Sequence, residues 1–386
     1  MTRMLASVAN AAEADVVLRH GADVIDLKDP ERGALGAVAL EVAGDALRAI
    51  GRRRETSATL GDPPYDEQAL LAQARALAAM GIDYLKLCAD LPILESLGES
   101  LRTLGRDCAL VGVVFADEEP DFAVLPELAA LGFKGAMLDT RDKRRGRLVD
   151  HLDVARLGEF CSRCEALGLT SGLAGSLEAP DVPRLLLVRP DILGFRRALC
   201  HAHDRVAAID PQAVALIRHL IARERPDADD APTIDWRLLG RGIIGGHDAD
   251  GEVDRVFVRD FVVAAWIGAY DFERDAQQRV VFDVEALVRR AGGHADDMRS
   301  IFSYDVILDA IRLVVGRGHV DFIETLAEDV AAIVLGHARV QSVRVNVRKL
   351  DVIEGSVGVE ILRERAAAVA DARSLGLVVK PASTKE

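Results

Sequence analysis

Three lysines stand in or just after short β-rich runs of the first half of the chain. Lys28 closes Val24-Ile-Asp-Leu-Lys28, Lys86 lies inside Tyr84-Leu-Lys-Leu-Cys88, and Lys143 follows in Leu138-Asp-Thr-Arg-Asp-Lys143. A lysine attacks a carbonyl only when its amine is neutral, and burial or crowding of cations lowers the amine's pKa toward physiological pH. Converging lysines would supply that crowding. Asp26 stands two residues before Lys28, so on a strand both side chains share one face, where pairing would tune acidity. Each residue also has an ordinary reading. Lys86 could be a strand residue that snorkels its amine to solvent, Lys28 could simply be salt-bridged to Asp26, and Lys143 lies in the charged run Arg141–Arg147, which suits a solvated loop. A phosphate cradle is suggested by Gly172-Leu-Ala-Gly175-Ser176 and by Gly194-Phe-Arg196, because glycines let backbone N–H groups approach an anion, although turn glycines are common. In the second half the candidates are Glu273, Tyr304, Glu324 and Lys349. Their ordinary readings are a carboxylate favoured near a helix start for Glu324, a core residue near a helix cap for Tyr304, and a solvated strand end for Lys349.

The elements that would position these residues are legible as alternation. β-rich runs at Met4–Val8, Val24–Lys28, Ser57–Leu60, Tyr84–Cys88, Ala109–Ala116, Gly135–Thr140, Gly168–Ala174 and Ile192–Leu199 are separated by Ala/Leu-rich stretches of helical period. Eight βα units at this spacing predict an α/β fold, a (β/α)8 TIM barrel, with an open doubly wound sheet as the alternative. Barrel enzymes place catalytic groups at the C-terminal ends of strands, where the lysines fall, and bind phosphate on the loops after strands seven and eight. After a helix around Val214–Ala222, the polar, proline-punctuated segment Arg223–Pro232 begins a linker over 223–253, which includes the glycine- and aspartate-rich connection Gly240–Asp254. From Asp254 the rhythm changes. Val280–Ala286 and Val343–Lys349 alternate as half-buried antiparallel strands with two helices between them, predicting an α+β domain over 254–386. The second of those helices carries Ile323, Leu326, Ala327, Val330 and Val334 on one face, a stripe suited to packing on a sheet.

Composition narrows the classes. At 386 residues two domains are expected. A net charge of −14 and 4% aromatic residues offer neither a basic field nor stacking platforms for nucleic acid. No apolar run approaches a bilayer span and no secretory leader pattern is present, so a cytoplasmic enzyme without membrane partner is expected. Five cysteines, an odd number, read as reduced thiols; Cys161 and Cys164 form a lone CxxC within an apparent helix, so no metal site and no cofactor are expected.

Beyond spacing, Leu5-Ala-Ser-Val-Ala-Asn10, Gly21-Ala-Asp-Val-Ile-Asp-Leu-Lys-Asp-Pro30, Arg32-Gly-Ala-Leu-Gly36, Leu138-Asp-Thr140, Gly172–Ser176 and Leu193-Gly-Phe-Arg196 resemble the (5-formylfuran-3-yl)methyl phosphate synthase family of methanofuran biosynthesis over about residues 4 to 222. The resemblance implies a class-I-aldolase-like barrel joining two glyceraldehyde 3-phosphate molecules with loss of one phosphate and water. It makes Lys28 the Schiff-base lysine and gives proton transfers to Lys86, Lys143, Asp26 and Asp139, with phosphate at Gly175, Ser176, Gly194 and Arg196. Arg141 and Arg144, flanking Lys143, depart from the family pattern. The segments Tyr270-Asp-Phe-Glu273, Ser303-Tyr-Asp305, Phe322-Ile-Glu-Thr-Leu-Ala-Glu328, Val343-Arg-Val-Asn-Val-Arg-Lys349 and Gly358-Val-Glu-Ile-Leu362 resemble bacterial dihydroneopterin aldolase over about residues 254 to 364. That resemblance implies a tunnelling-fold ring with sites between subunits, hence a homo-oligomer. Glu324 would bind the pterin's adjacent donors bidentately, Lys349 and Tyr304 would form an acid/base pair, and Glu273 would support them. Leu350-Asp-Val-Ile-Glu354 departs from that family's proline and small residues. Together the resemblances predict a bifunctional lyase acting on glyceraldehyde 3-phosphate and dihydroneopterin, serving furan and tetrahydromethanopterin-type one-carbon carriers. The alternatives are a catalytically silent C-terminal assembly module and a barrel that is a different phosphate-sugar aldolase.

Overall fold

A computed structural model of the chain describes residues 1–222, 253–290 and 301–365. The expected linker over 223–253, including the connection Gly240–Asp254, lies outside these residues except for its last one or two. The described chain forms two compact units, Met1–Ile243 with Gly292–Gly318, and Ile244–Ala291 with His319–Glu386.

In the first unit eight parallel strands close into a barrel: β1 (Arg3–Val8), β2 (Val24–Leu27), β3 (Glu55–Thr59), β4 (Tyr84–Cys88), β5 (Ala109–Phe115), β6 (Gly135–Asp139), β7 (Thr170–Leu173) and β8 (Ile192–Phe195). Pairing runs in sequence order, and β8 returns to β1 with Leu5 opposite Gly194. The open-sheet alternative is thereby excluded. The helices α1 (Ala11–Arg19), α2 (Leu40–Ile50), α3 (Glu67–Ala79), α4 (Leu91–Asp107), α5 (Val124–Ala130), α6 (Leu148–His151), α7 (Val154–Ala166), α8 (Asp181–Leu186) and α9 (Pro211–Ala222) alternate with them. Strand alternation sorts the side chains into two layers. Met4, Ala6, Ile25, Leu85, Leu87 and Leu138 join the core with the helices, whereas Leu5, Val24, Val113 and Met137 belong to a separate inner cluster. Helix starts are fixed by side-chain caps: Asn10, Asp66, Asp90 and Asp153 each accept from a backbone N–H of the first turn, a contact that contributes about 1 kcal/mol apiece.

Several strands are shorter than the apolar runs that predict them. The seventh begins at Thr170 because Gly168, at φ +69°, is still turning the chain out of α7. The eighth stops at Phe195, since Arg196 leaves the extended region and Arg197–Leu199 winds into a 3-10 turn. Ala116 likewise belongs to a 3-10 turn, Ala116–Glu118, and not to β5. Helix α10 (Asp305–Gly316) is also part of the first unit; it packs on α7 and α8, and Arg184 meets the buried Asp309.

The second unit is a four-stranded antiparallel sheet in the order β12 (Val357–Glu364), β11 (Val340–Lys349), β10 (Gln278–Arg289), β9 (Val253–Ala265). Helix α11 (Ile323–Leu335) lies on β11 and β12 through Leu326, Ala327, Val330 and Val334, all buried. Period-2 alternation is clear in β11, whose Val343, Val345 and Val347 are fully buried. Among the described residues no helix is long and apolar enough to cross a membrane.

Candidate active site

The C-terminal ends of the barrel strands open on a cleft of about 550 Å³ whose walls include Lys28, Lys86, Asp139, Lys143, Gly175 and Arg205. A second cavity, about 430 Å³, lies at the strand starts and shares with it only Leu5, Lys86 and Met137. The amines and the carboxylate converge at the first.

Lys86 points inward from β4 because its neighbours Leu85 and Leu87 occupy the outer layer. Its Nζ lies 2.7 Å from Asp26 Oδ1. Asp26, completely buried on β2, also accepts from Ser7 Oγ at 2.8 Å and Ser57 Oγ at 2.6 Å. Sequence spacing pairs Asp26 with Lys28, and here the structure differs. Lys28 shares the face of Asp26, but it sits one residue past the strand end and reaches across the mouth, 3.8 Å from Asp139 Oδ2. Lys143 donates to the other oxygen, Asp139 Oδ1, and lies 3.3 Å from Thr140 Oγ1. It is therefore not a solvated loop residue, although its neighbour Arg144 is exposed and engaged only with Asp142.

Three amines thus share two carboxylates in a buried setting. Burial pulls the Lys28 pKa down from 10.5 to about 8; Asp139 opposes this, while the charges of Lys143 and Lys86 add to it. For Asp139 burial acts upward, but the ammonium groups of Lys143 and Lys28 outweigh it and hold the carboxyl below its ordinary range. The loop carrying Lys143 is anchored by Asp117, which accepts from the N–H groups of Arg141 at 2.7 Å and Asp142 at 2.9 Å. Arg141 then stacks over Phe115 and pairs with Glu118, so this departure from the family pattern packs the loop onto the end of β5.

Of the four expected phosphate contacts, Gly175, Ser176 and Gly194 line the cleft. Gly175 has φ +113°, and a Cβ there would meet the Thr140 backbone N at 3.0 Å, so the residue type is dictated by a close approach. Arg196 also borders the cleft, but its guanidinium is occupied. It pairs with Glu13 and donates to the carbonyls of Ser7 (3.2 Å), Arg205 (2.8 Å) and Ala207 (3.3 Å). Its role is to tie β8 to the start of α1, 183 residues away. Among the cleft residues that sequence patterns miss are Arg197 and Arg205, both past the end of β8; no periodicity marks them, since their positions depend on the 3-10 turns that follow the strand.

In the second unit Lys349, at the end of β11, donates to Glu273 Oε1. Glu273 also accepts from Gln278 Nε2 at 3.0 Å and from the Tyr270 N–H at 3.2 Å. The hydrogen bond from Lys349 is the main reason its carboxyl falls from 4.5 to about 2. Gly268 makes room: a Cβ there would stand 2.1 Å from Glu273 Cδ. Glu324 is exposed at the first turn of α11 with no polar partner among the described residues, and Tyr304, 58% exposed, caps α10 in the first unit. Cys161 and Cys164 are buried in α7, and burial pushes both thiols up to about 12, which removes them as nucleophiles.

A closed (β/α)8 barrel with an amine-lined cleft at its C-terminal mouth, followed by an antiparallel sheet with a lysine–glutamate pair, defines a two-domain enzyme. The chain belongs to the 4-HFC-P synthase family, which matches residues 4–218, and its C-terminal part matches the Dihydroneopterin aldolase family over residues 256–362. A Methylorubrum extorquens protein provisionally named (5-formylfuran-3-yl)methyl phosphate synthase is 41% identical over 228 residues, covering 58% of this chain and 94% of the relative. The (5-formylfuran-3-yl)methyl phosphate synthase of Methanopyrus kandleri is 34% identical over 216 residues, covering 53% and 91%. A crystal structure of dihydroneopterin aldolase from Burkholderia thailendensis bound to guanine is 32% identical, covering 29% of this chain and 92% of that one, with a TM-score of 0.27.

Proposed function

We propose that the protein is a bifunctional lyase: the barrel joins two glyceraldehyde 3-phosphate molecules into (5-formylfuran-3-yl)methyl phosphate through an imine on Lys28, and the C-terminal domain cleaves dihydroneopterin to a hydroxymethyl-dihydropterin and glycolaldehyde. The observation that carries the first activity is the burial of Lys28 in a cleft shared with Lys86 and Lys143: burial, with the neighbouring ammonium groups adding to it against Asp139, lowers its pKa to about 8. A fraction of Lys28 is then neutral near pH 7 and can add to an aldehyde; the carbinolamine loses water with a proton from a neighbouring ammonium, for which Lys143 is placed beside Asp139. The protonated imine withdraws electrons from the adjacent carbon, so a base removes its proton and the resulting enamine forms the new carbon–carbon bond with the second aldehyde. We assign these transfers to Asp139, which pairs with both Lys28 and Lys143, and to the Asp26–Lys86 pair.

The second activity needs no imine, because the dihydropterin ring takes up the electrons released on cleavage. Lys349 carries the proton transfers with Glu273 supporting it, and Glu324 holds the pterin; Tyr304, the acid/base partner that the resemblance implies, groups with the first unit. The functional division proposed is a barrel over 1–222 and an aldolase-like domain over 254–386, in a cytoplasmic homo-oligomer, with α10 of the latter range grouping structurally with the first unit.

Borohydride reduction with glyceraldehyde 3-phosphate tests the imine. The expected result is a covalent adduct on the peptide containing Lys28, absent from Lys28→Met, with a product mass that has lost both phosphate and water. An unmodified Lys28, or a product that retains both phosphates, overturns the reading.

A further inference from the structure

Beyond the amines that the imine chemistry uses, the cleft walls carry Arg196, Arg197 and Arg205; Arg197 is exposed and donates to the His203 carbonyl at 2.9 Å. Arg205 is half-buried in its wall, and among the described residues its guanidinium makes a single hydrogen bond, from Nη2 to the Gly33 carbonyl at 3.0 Å. No carboxylate among the described residues comes within ion-pair reach of it. Arg196 shows the contrast, since Glu13 and three carbonyls engage its guanidinium. Burial disfavours the Arg205 charge, and Asp139 is the foremost group that opposes this from a distance. A partly desolvated guanidinium without a carboxylate is stabilised by an incoming anion, and its planar fork matches the oxygens of a phosphate.

Two further donors line the same cleft. The backbone N–H groups of Gly175 and Ser176, at φ +113° and +49°, have no acceptor within the described residues, whereas the preceding Ala174 N–H is bound to Leu138 O. A side chain at Gly175 would collide with Thr140, so this stretch of backbone stays open to the cleft. The bond to Gly33 ties Arg205 to the loop after β2, the strand that Lys28 follows. An anion held there would sit in the same cleft as the reactive amine.

We propose that Arg205 is the side-chain anchor for a phosphate of the substrate, completing a cradle whose backbone half is Gly175 and Ser176, while Arg196 serves the fold. This assignment rests on the reading of the barrel as acting on a phosphorylated aldehyde, and it makes Arg205 the residue that selects phosphate monoesters over the free sugar.

The test uses the full-length protein with inorganic phosphate in calorimetric titration and with glyceraldehyde 3-phosphate in steady state. Loss of a charge-assisted contact predicts that Arg205→Gln weakens phosphate binding and raises KM by about tenfold to hundredfold. The Lys28 borohydride adduct at saturating substrate should persist. Arg205→Lys should recover part of the affinity by keeping the charge without the fork, and it decides the matter if the glutamine variant does not fold. Arg196→Gln, which frees the Arg205 carbonyl as well as Glu13, should lower the thermal midpoint and weaken phosphate binding by less than Arg205→Gln does. Unchanged phosphate affinity and KM in a folded Arg205→Gln, or no phosphate binding by the parent protein, overturns the proposal. If the parent forms no adduct and no furan while phosphate binding is still lost in Arg205→Gln, the imine reading fails and the anion anchor stands.

Discussion

The barrel cleft and the C-terminal site are built from the same two groups in different proportions. In the cleft Lys28, Lys86 and Lys143 share Asp26 and Asp139, so positive charge is in excess among groups that are nearly all buried. In the second unit one amine meets one carboxylate, Lys349 with Glu273. Burial, with the excess of cations adding to it, destabilises the Lys28 ammonium, whose pKa falls to about 8; in the second unit the hydrogen bond from Lys349 stabilises the Glu273 carboxylate, whose pKa falls to about 2. Burial and the balance of charge, more than residue type, set the two sites apart.

The largest expected effect that sharpens this contrast comes from Lys349→Ala. Removing a positioned acid/base group should lower glycolaldehyde release from dihydroneopterin by at least about hundredfold, while furan phosphate formation and the Lys28 adduct are unaffected. Product assays on one preparation check both. If the parent protein itself releases no glycolaldehyde, and removal of residues 254–386, α10 of the first unit included, dissociates the oligomer while the barrel still forms the Lys28 adduct, the C-terminal domain is an assembly module and the comparison is between an enzyme and a scaffold.

A smaller effect is expected at Gly268. Its φ is +140°, and a methyl group on its Cα would lie 2.1 Å from Glu273 Cδ, so the position has no room for a side chain. Gly268→Ala should therefore push Glu273 away from Lys349 and lower aldolase turnover by about tenfold to hundredfold, the cost of misplacing a catalytic group by about an ångström. Furan synthesis by the barrel is the internal control. Retention of full aldolase activity would show that the Glu273–Lys349 contact is dispensable.

Which of these features the sequence discloses depends on how local their causes are. The eight strands are legible because strand, helix and turn signals are short-range, and the inward aim of Lys86 follows from its flanking leucines on one strand. Lys143 is harder, since its arginine-rich surroundings look solvated until Asp117, on the turn after β5, pins the loop inward. Pairing across the barrel is not legible at all. Asp26 sits two residues from Lys28 but is taken by Lys86, because closure brings β4 to the lumen opposite Ser7 and Ser57. Arg196 looks like a phosphate ligand on motif position, yet Glu13 claims it from 183 residues away. In the second unit β11 announces itself by alternation, whereas β9 alternates half-buried with exposed residues but carries apolar side chains on both faces and a break in period at Arg259–Asp260, so no single apolar face can be read.

The pH response should be the gentlest test and the one that most directly compares the two sites. Imine formation needs neutral Lys28, so with a pKa of about 8 the rate of borohydride trapping should rise as pH increases. Between pH 7 and 9 the neutral fraction grows about tenfold, then levels off. The sign of each neighbour's influence is fixed by its charge: Lys86→Met removes a cation that lowers the Lys28 pKa and should move the midpoint upward, while Asp139→Asn removes the carboxylate that raises it and should move the midpoint downward. Glycolaldehyde release should show no inflection from Glu273 over the same range, because that carboxyl is already ionised well below it. A trapping midpoint near 10.5, unmoved by either barrel variant, would mean that neither burial nor the neighbouring charges lower the Lys28 amine.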